Sequence, residues 1–118
     1  MNLRKIDALI AERVLGLRVV DHGFNRFTEP GERAGEQIPV RNYSTDIAAA
    51  WEVVERLSAF GFATVHRFDD TTIHPPLKKY SVEVSIRQGM GRSVANTAPL
   101  AICLAALKAI DVEDKEYA

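Results

Sequence analysis

A single cysteine, Cys103, stands in the 118 residues. No intramolecular disulfide braces this fold, and a reducing compartment suits it. Neither sign of charge dominates, since 15 Lys and Arg against 16 Asp and Glu leave a net charge of −1. A protein that grips a duplex by charge carries a basic surplus to neutralise phosphates, so nucleic acid is not the expected partner on this count. The longest run without a polar side chain, Ala98 to Leu107, is far shorter than the roughly 20 residues that cross a bilayer. Met1 to Ile10 alternates charged and apolar residues and offers no export segment. Membrane partners are therefore not expected, and the cytoplasm is the expected location. No nucleophile is spaced to meet a general base, so no catalytic residue is assigned and no enzyme activity is expected. No cofactor-binding pattern stands out either.

What is present is an ordinary globular composition, with 47% apolar and 26% charged residues, enough for one core and one domain. Met1 to Leu17 reads as an amphipathic helix capped by Asn2, with Ile6, Leu9, Ile10, Val14 and Leu17 on the apolar face. Arg4, Lys5, Asp7, Glu12 and Arg13 fall on its wet face, and Gly16 ends it. A short strand or link from Leu17 to Phe24 follows, with Val19 and Val20 inward. From Asn25 to Asn42 periodicity is lost among Pro30, Gly31, Gly35 and Pro39, with Glu29, Glu32, Arg33 and Glu36 between. The stretch reads as a long polar surface loop.

Ser44, Thr45 and Asp46 open the second helix, with Trp51 as its core anchor and Gly61 as its stop. Phe62 to Phe68, apolar on both faces, suits a strand covered on both sides. Lys79 to Arg87 alternates, with Tyr80, Val82, Val84 and Ile86 inward. The connection between them contains Pro75 and Pro76. Gly89 to Ser93 reads as a flexible link to the last helix, which is capped by Asn96 or Thr97, with Pro99 in its first turn. That helix is apolar nearly all round, which places it in the core or in a subunit interface. The domain spans 1–112, and the acidic tail 113–118 is expected to fray.

Three blocks carry a resemblance: Ile6 to Val19 (IDALIAERVLGLRV), Tyr43 to Leu57 (YSTDIAAAWEVVERL) and Ala95 to Lys108 (ANTAPLAICLAALK). In this order they resemble the small phage and prophage proteins of the phage ABA sandwich domain family. Leu17 departs from it, standing where many relatives have an aromatic residue. The resemblance implies an α+β fold, a small antiparallel sheet between helical layers in the order α-(β)-α-β-β-α. It implies a bacterial host cell as the setting and carries no activity or catalytic residue with it.

Candidate ligand-binding residues are Arg41 with Ser44, Thr45 and Asp46 at the second helix start, and Arg92 with Ser93 before the last helix. Capping alone accounts for the residue types at Ser44 to Asp46. His66, Asp69, Asp70 and His74 have a metal-like composition without a ligand spacing, so no metal is assigned. The leading expectation is a non-enzymatic phage accessory protein. It would bind a host or phage protein, or a small ligand such as a signalling nucleotide, and self-associate through the apolar last helix. The alternative is nucleic-acid binding, because a sheet followed by Gly89-Met90-Gly91-Arg92-Ser93 and a helix resembles the end of a double-stranded-RNA-binding domain.

Overall fold

The computed structural model describes residues 1–72, 74 and 77–118. The first helix, α1 (Leu3–Leu9), is capped by the Asn2 side chain, which accepts from the Lys5 amide. It continues into a wider π-turn over Ile10–Val14 and stops where Gly16 turns to φ +70°. Ile6, Ile10 and Val14 are buried as their spacing predicts, but so is Asp7, only 2% exposed.

Residues 20–39 correct the loop reading. They form a three-stranded antiparallel sheet of β1 (Val20–Asp21), β2 (Phe27–Pro30) and β3 (Gln37–Pro39). Val20 is exposed rather than inward, while Val19 packs partly against the core. The strands are only two to four residues long, with Pro30 and Pro39 closing two of them, so neither periodicity nor propensity marks them. Pairing and burial of Phe27, Glu29 and Val40 decide the conformation.

Helix α2 (Ile47–Ser58) buries Ala49, Ala50, Val53, Val54 and Leu57. Trp51 does not anchor the core, being 49% exposed, and Ile47 beside it is exposed as well. The small residues Ala49 and Ala50 face inward because they let α2 approach its neighbours closely. The Ile47–Trp51 stripe is left on the flank.

A second antiparallel sheet follows, in the order β4 (Gly61–Asp70), β5 (Leu77–Ile86), β6 (Gly89–Ala95). Pro75 and Pro76 lie outside the described residues. Tyr80, Val82, Val84 and Ile86 face the helices as their alternation predicts. β4 departs from its reading as a doubly covered strand, since Phe62, Val65 and Phe68 are all exposed. The link at Gly89–Ser93 is instead the third strand. A Cβ at Gly91 would run into the Ala105 carbonyl oxygen and the Ala109 amide nitrogen, and one at Gly89 would press on the Ala109 carbonyl. The glycines are there for close approach of strand and helix rather than for flexibility.

That helix, α3 (Ala98–Ala109), touches β5, β6, α2, α1 and the π-turn. Lys108 is its one exposed residue. Its all-round apolar character is met by these contacts inside the chain. The C-terminal residues pack onto the body of the fold: Val112 and Tyr117 are buried, the Tyr117 carbonyl accepts from the Asn2 amide, and Glu116 pairs with Arg13 at 3.0 Å. The architecture is α+β, as expected, with two sheets in place of one.

Two buried carboxylates tie the segment between the sheets. The Ser44 amide donates to Asp7 Oδ1 at 2.8 Å and the Arg4 guanidinium to Asp7 Oδ2 at 2.9 Å. Glu29, 1% exposed, accepts from the Arg41 amide at 2.7 Å and from the Tyr43 hydroxyl at 3.2 Å. Burial, and then the Glu29 charge, push the Tyr43 hydroxyl well above its ordinary titration range.

Asp7→Ala strands the buried Ser44 amide and is expected to cost about 1–3 kcal/mol. Asp7→Asn, which keeps an acceptor, should cost less. Gly91→Ala forces α3 off the sheet and is expected to cost about 1–3 kcal/mol, whereas a change at exposed Met90 stays within about 0.5 kcal/mol. Urea unfolding of the variants measures each; a neutral Gly91→Ala would contradict the close approach.

Candidate functional site

The residues singled out by the sequence do not converge. Arg41 directs its guanidinium to both oxygens of Glu52, at 2.9 and 3.2 Å, and that charge raises its pKa. Asp46 caps α2, its Oδ1 accepting from the Ala48 amide at 2.9 Å. Ser44 is buried and its amide is taken by Asp7. Thr45 alone faces outward into a shallow hollow, with Ile47, Tyr80 and Pro99. The helix start is thus a cap already in use, with Asp46 alone in that role, while the Ser44 hydroxyl is buried without a hydrogen-bond partner among the described residues. Arg92 and Ser93 are neighbours in β6, so strand alternation sends them to opposite faces. Arg92 is exposed opposite Glu83, while Ser93 is buried on the helix side. They cannot form one site.

The same alternation divides the His66, Asp69, Asp70 group. His66 and Asp70 share the open face of β4 and Asp69 lies on the other. Lys79 at 2.8 Å and then Thr72 hold the Asp70 carboxyl down at about 2. Cys103 is fully buried, and burial raises its thiol pKa far above the reactive range.

The order α2-β4-β5-β6-α3 matches the α-β-β-β-α order of double-stranded-RNA-binding domains more fully than the sequence revealed. The start of α3, Asn96-Thr97-Ala98-Pro99, carries no cation to meet a phosphate. Arg92, the one basic residue nearby in the motif, stands mid-strand opposite an acid.

A different set of residues does converge. Arg4, His22, Asn25, Arg26, Phe27, Thr28 and Pro39 line a cleft of about 470 Å³ between α1 and the β1–β2 hairpin. That is within the range of small-molecule sites. The lining holds two guanidinium groups and an imidazole, with no carboxylate among the described residues. The cleft is held in shape from several directions. Arg4 donates to Asp7, to Asn42 Oδ1 at 2.9 Å and to the Val40 carbonyl at 2.8 Å. The hairpin turn is closed by His22 and Arg26 backbone bonds, with Phe24 and Asn25 at positive φ. Asn25 also accepts from the Asn2 side chain at 2.8 Å, which pins the turn to the start of α1. Arg26 has no ion pair among the described residues.

Within the cleft, His22 Nε2 lies 2.9 Å from Thr28 Oγ1, which itself donates to Gln37 Oε1 at 3.0 Å. With its proton on Gln37, Thr28 is not poised to be activated by His22. The arrangement suits binding of an anion more than nucleophilic attack.

Sequence reasoning missed Arg4, Arg26 and Thr28 because they sit in a helix face read as wet and in a segment read as loop. The one available signal was the Asp21-His22-Gly23-Phe24-Asn25 run, rich in turn formers ahead of an arginine.

The sequence pattern of the phage ABA sandwich domain matches residues 8–107. The chain is also similar to a phage protein from Bacillus cereus ATCC 14579 with a known crystal structure. The two share 31% identity and a TM-score of 0.71, over 96% of this chain and 91% of that one. No curated protein matches. With the family pattern spanning most of its length and a phage relative sharing its fold, this chain belongs to the phage ABA sandwich domain family.

Proposed function

We propose that this phage-family protein is a non-enzymatic binding protein whose cleft between α1 and the β1–β2 hairpin takes a small anionic ligand. One observation carries the reading: Arg4, Arg26 and His22 line a concave site without a carboxylate among its described lining residues. Arg4 supplies a guanidinium already oriented by its contacts to Asp7, Asn42 and the Val40 carbonyl, so little side-chain freedom is lost on binding. Arg26 supplies a charge not engaged by another described side chain, free for bidentate contact to phosphate or carboxylate oxygens. The buried Phe27 and the exposed ring of Pro39 provide apolar wall, which favours a ligand with an organic body over a bare ion. In a phage protein, a site that holds a phosphate-bearing molecule without a catalytic pair suits sequestration of a host signalling nucleotide.

Thermal-shift and calorimetric titration against inorganic phosphate, nucleoside mono- and diphosphates, and cyclic nucleotides tests the reading. A ligand at 100 times its Kd is expected to stabilise the protein by about 2.7 kcal/mol. Arg26→Glu should abolish the shift without lowering the unliganded melting temperature, because Arg26 makes no described ion pair. A shift that survives Arg26→Glu would remove the cleft as the site. Absence of any shift, with salt-sensitive binding of duplex RNA in its place, would favour the nucleic-acid reading.

A further inference from the structure

Strand β4 is paired with β5 along one edge and, among the described residues, with no strand along the other. Its ladder runs without a bulge from Gly61 opposite Ile86 to Asp70 opposite Leu77, and it contains no proline. Edges of isolated sheets are usually shortened, bulged, broken by proline or given inward charges, which prevents pairing with other chains. β4 has only the last of these, at Arg67 and Asp69. Its apolar side chains are uncovered on both faces, with Phe62 60% exposed and Phe68 41% exposed on the open face, and Val65 on the helix side. Beneath it, α2 presents the exposed Ile47 and Trp51.

The geometry points to a symmetric pairing in which β4 of one chain adds antiparallel to β4 of a second copy, joining two sheets into one of six strands. A two-fold axis normal to the sheet keeps like faces together, so only residues of equal parity stand opposite one another. Registers that use nearly the whole strand centre on Val65 or on His66. Centring on His66 sets two histidines face to face and puts Phe62 against the partner's Asp70. Centring on Val65 sets Phe62 against the partner's Phe68, Thr64 against the partner's His66 and Ala63 against the partner's Arg67. The Val65 register matches aromatic with aromatic and opposes no like charges, so it is the one selected.

The charge of Arg67 is then answered by α2. The helix ends at Ser58, close in sequence to Gly61 where β4 begins. At its other end Ile47 shares a hollow with Tyr80, which stands opposite Arg67. So α2 runs back beneath β4, its 12 residues covering about 17 Å against about 20 Å for Gly61 to Arg67. This places Trp51 near the level of Val65 and Glu55 near the level of Ala63. Ile47, Trp51 and Glu55 recur at i, i+4 as one exposed row, whose Ile47 end lies beside the sheet at Tyr80. The partner's Arg67, opposite Ala63 and on the helix side, arrives at Glu55. Both residues are exposed, and neither makes an ion pair among the described residues of its own chain. The two Trp51 rings close on the axis beneath the Val65 pair. Aromatic matching, charge complementarity and the open edge thus agree on a second copy as the occupant.

Sedimentation and light scattering from micromolar to sub-millimolar concentration are expected to give twice the 13.1 kDa chain mass. Trp51 is the only tryptophan, so its emission should move to the blue as the dimer forms. Arg67→Glu should weaken the dimer by about tenfold or more through repulsion from Glu55, and Glu55→Arg in the same chain should restore it. Val65→Lys should give a monomer, with circular dichroism checking that it folds; if it does not fold, the charge-swap pair carries the test. A wild-type monomer with concentration-independent Trp51 emission would overturn the pairing and leave the edge to a different chain. A dimer indifferent to Arg67→Glu would equally overturn it. Ligand binding in the cleft is unaffected by these variants, so the two readings fail separately.

Discussion

The segment from Val40 to Asp46 is fixed by two carboxylates that have left water, and most of the fold hangs on that arrangement. Asp7 reaches it from α1 and Glu29 from β2, each accepting a backbone amide at hydrogen-bond distance. A buried carboxylate is costly unless its oxygens are satisfied. Here the Ser44 amide and Arg4 answer Asp7, while the Arg41 amide and Tyr43 answer Glu29. The pair sets where the chain leaves the first sheet and therefore where α2 begins. It also turns a polar, glycine- and proline-rich stretch into an ordered layer. Such a stretch has too little apolar surface to order itself by burial alone.

The cleft is a by-product of the same clamp. Arg4 faces it because Asp7, Asn42 and the Val40 carbonyl hold the guanidinium between α1 and β3. The β1–β2 turn closes the other side, bringing His22 and Arg26 across from it. In the second sheet, β4 is left with an open edge because no described strand pairs beyond it, while α3 packs on β5 and β6. The two surfaces arise separately, the cleft from the carboxylate clamp and the open edge from a sheet that ends at β4.

Legibility in the sequence followed the strength of the periodic signal. The α1 face of Ile6, Ile10 and Val14, the inward row of β5 and the start of α3 at Pro99 could all be read, because each is a regular pattern with local punctuation. The cap at Asp46 could be read as a cap. Three readings failed for a shared reason. Asp7 and Glu29 looked solvated because charged residues usually are, and only partners distant in sequence make their burial tolerable. Trp51 looked like a core anchor because size and apolarity favour burial, yet Ala49 and Ala50 took the inner face. The Gly89–Gly91 stretch looked flexible because glycine often is, whereas here the missing Cβ admits the backbone of α3.

By itself the sequence determined the helices, the main strand face, the absence of a disulfide and the family to which the chain belongs. These depend on local periodicity, capping chemistry and ordered blocks, all of which are properties of neighbouring residues. Tertiary structure alone decided that residues 20–39 form a sheet, that two carboxylates are buried, and that Arg4 and Arg26 face one cleft. Each of those requires groups far apart in the chain to satisfy one another's charge or hydrogen bonds. A one-dimensional pattern does not record which distant partner will be there.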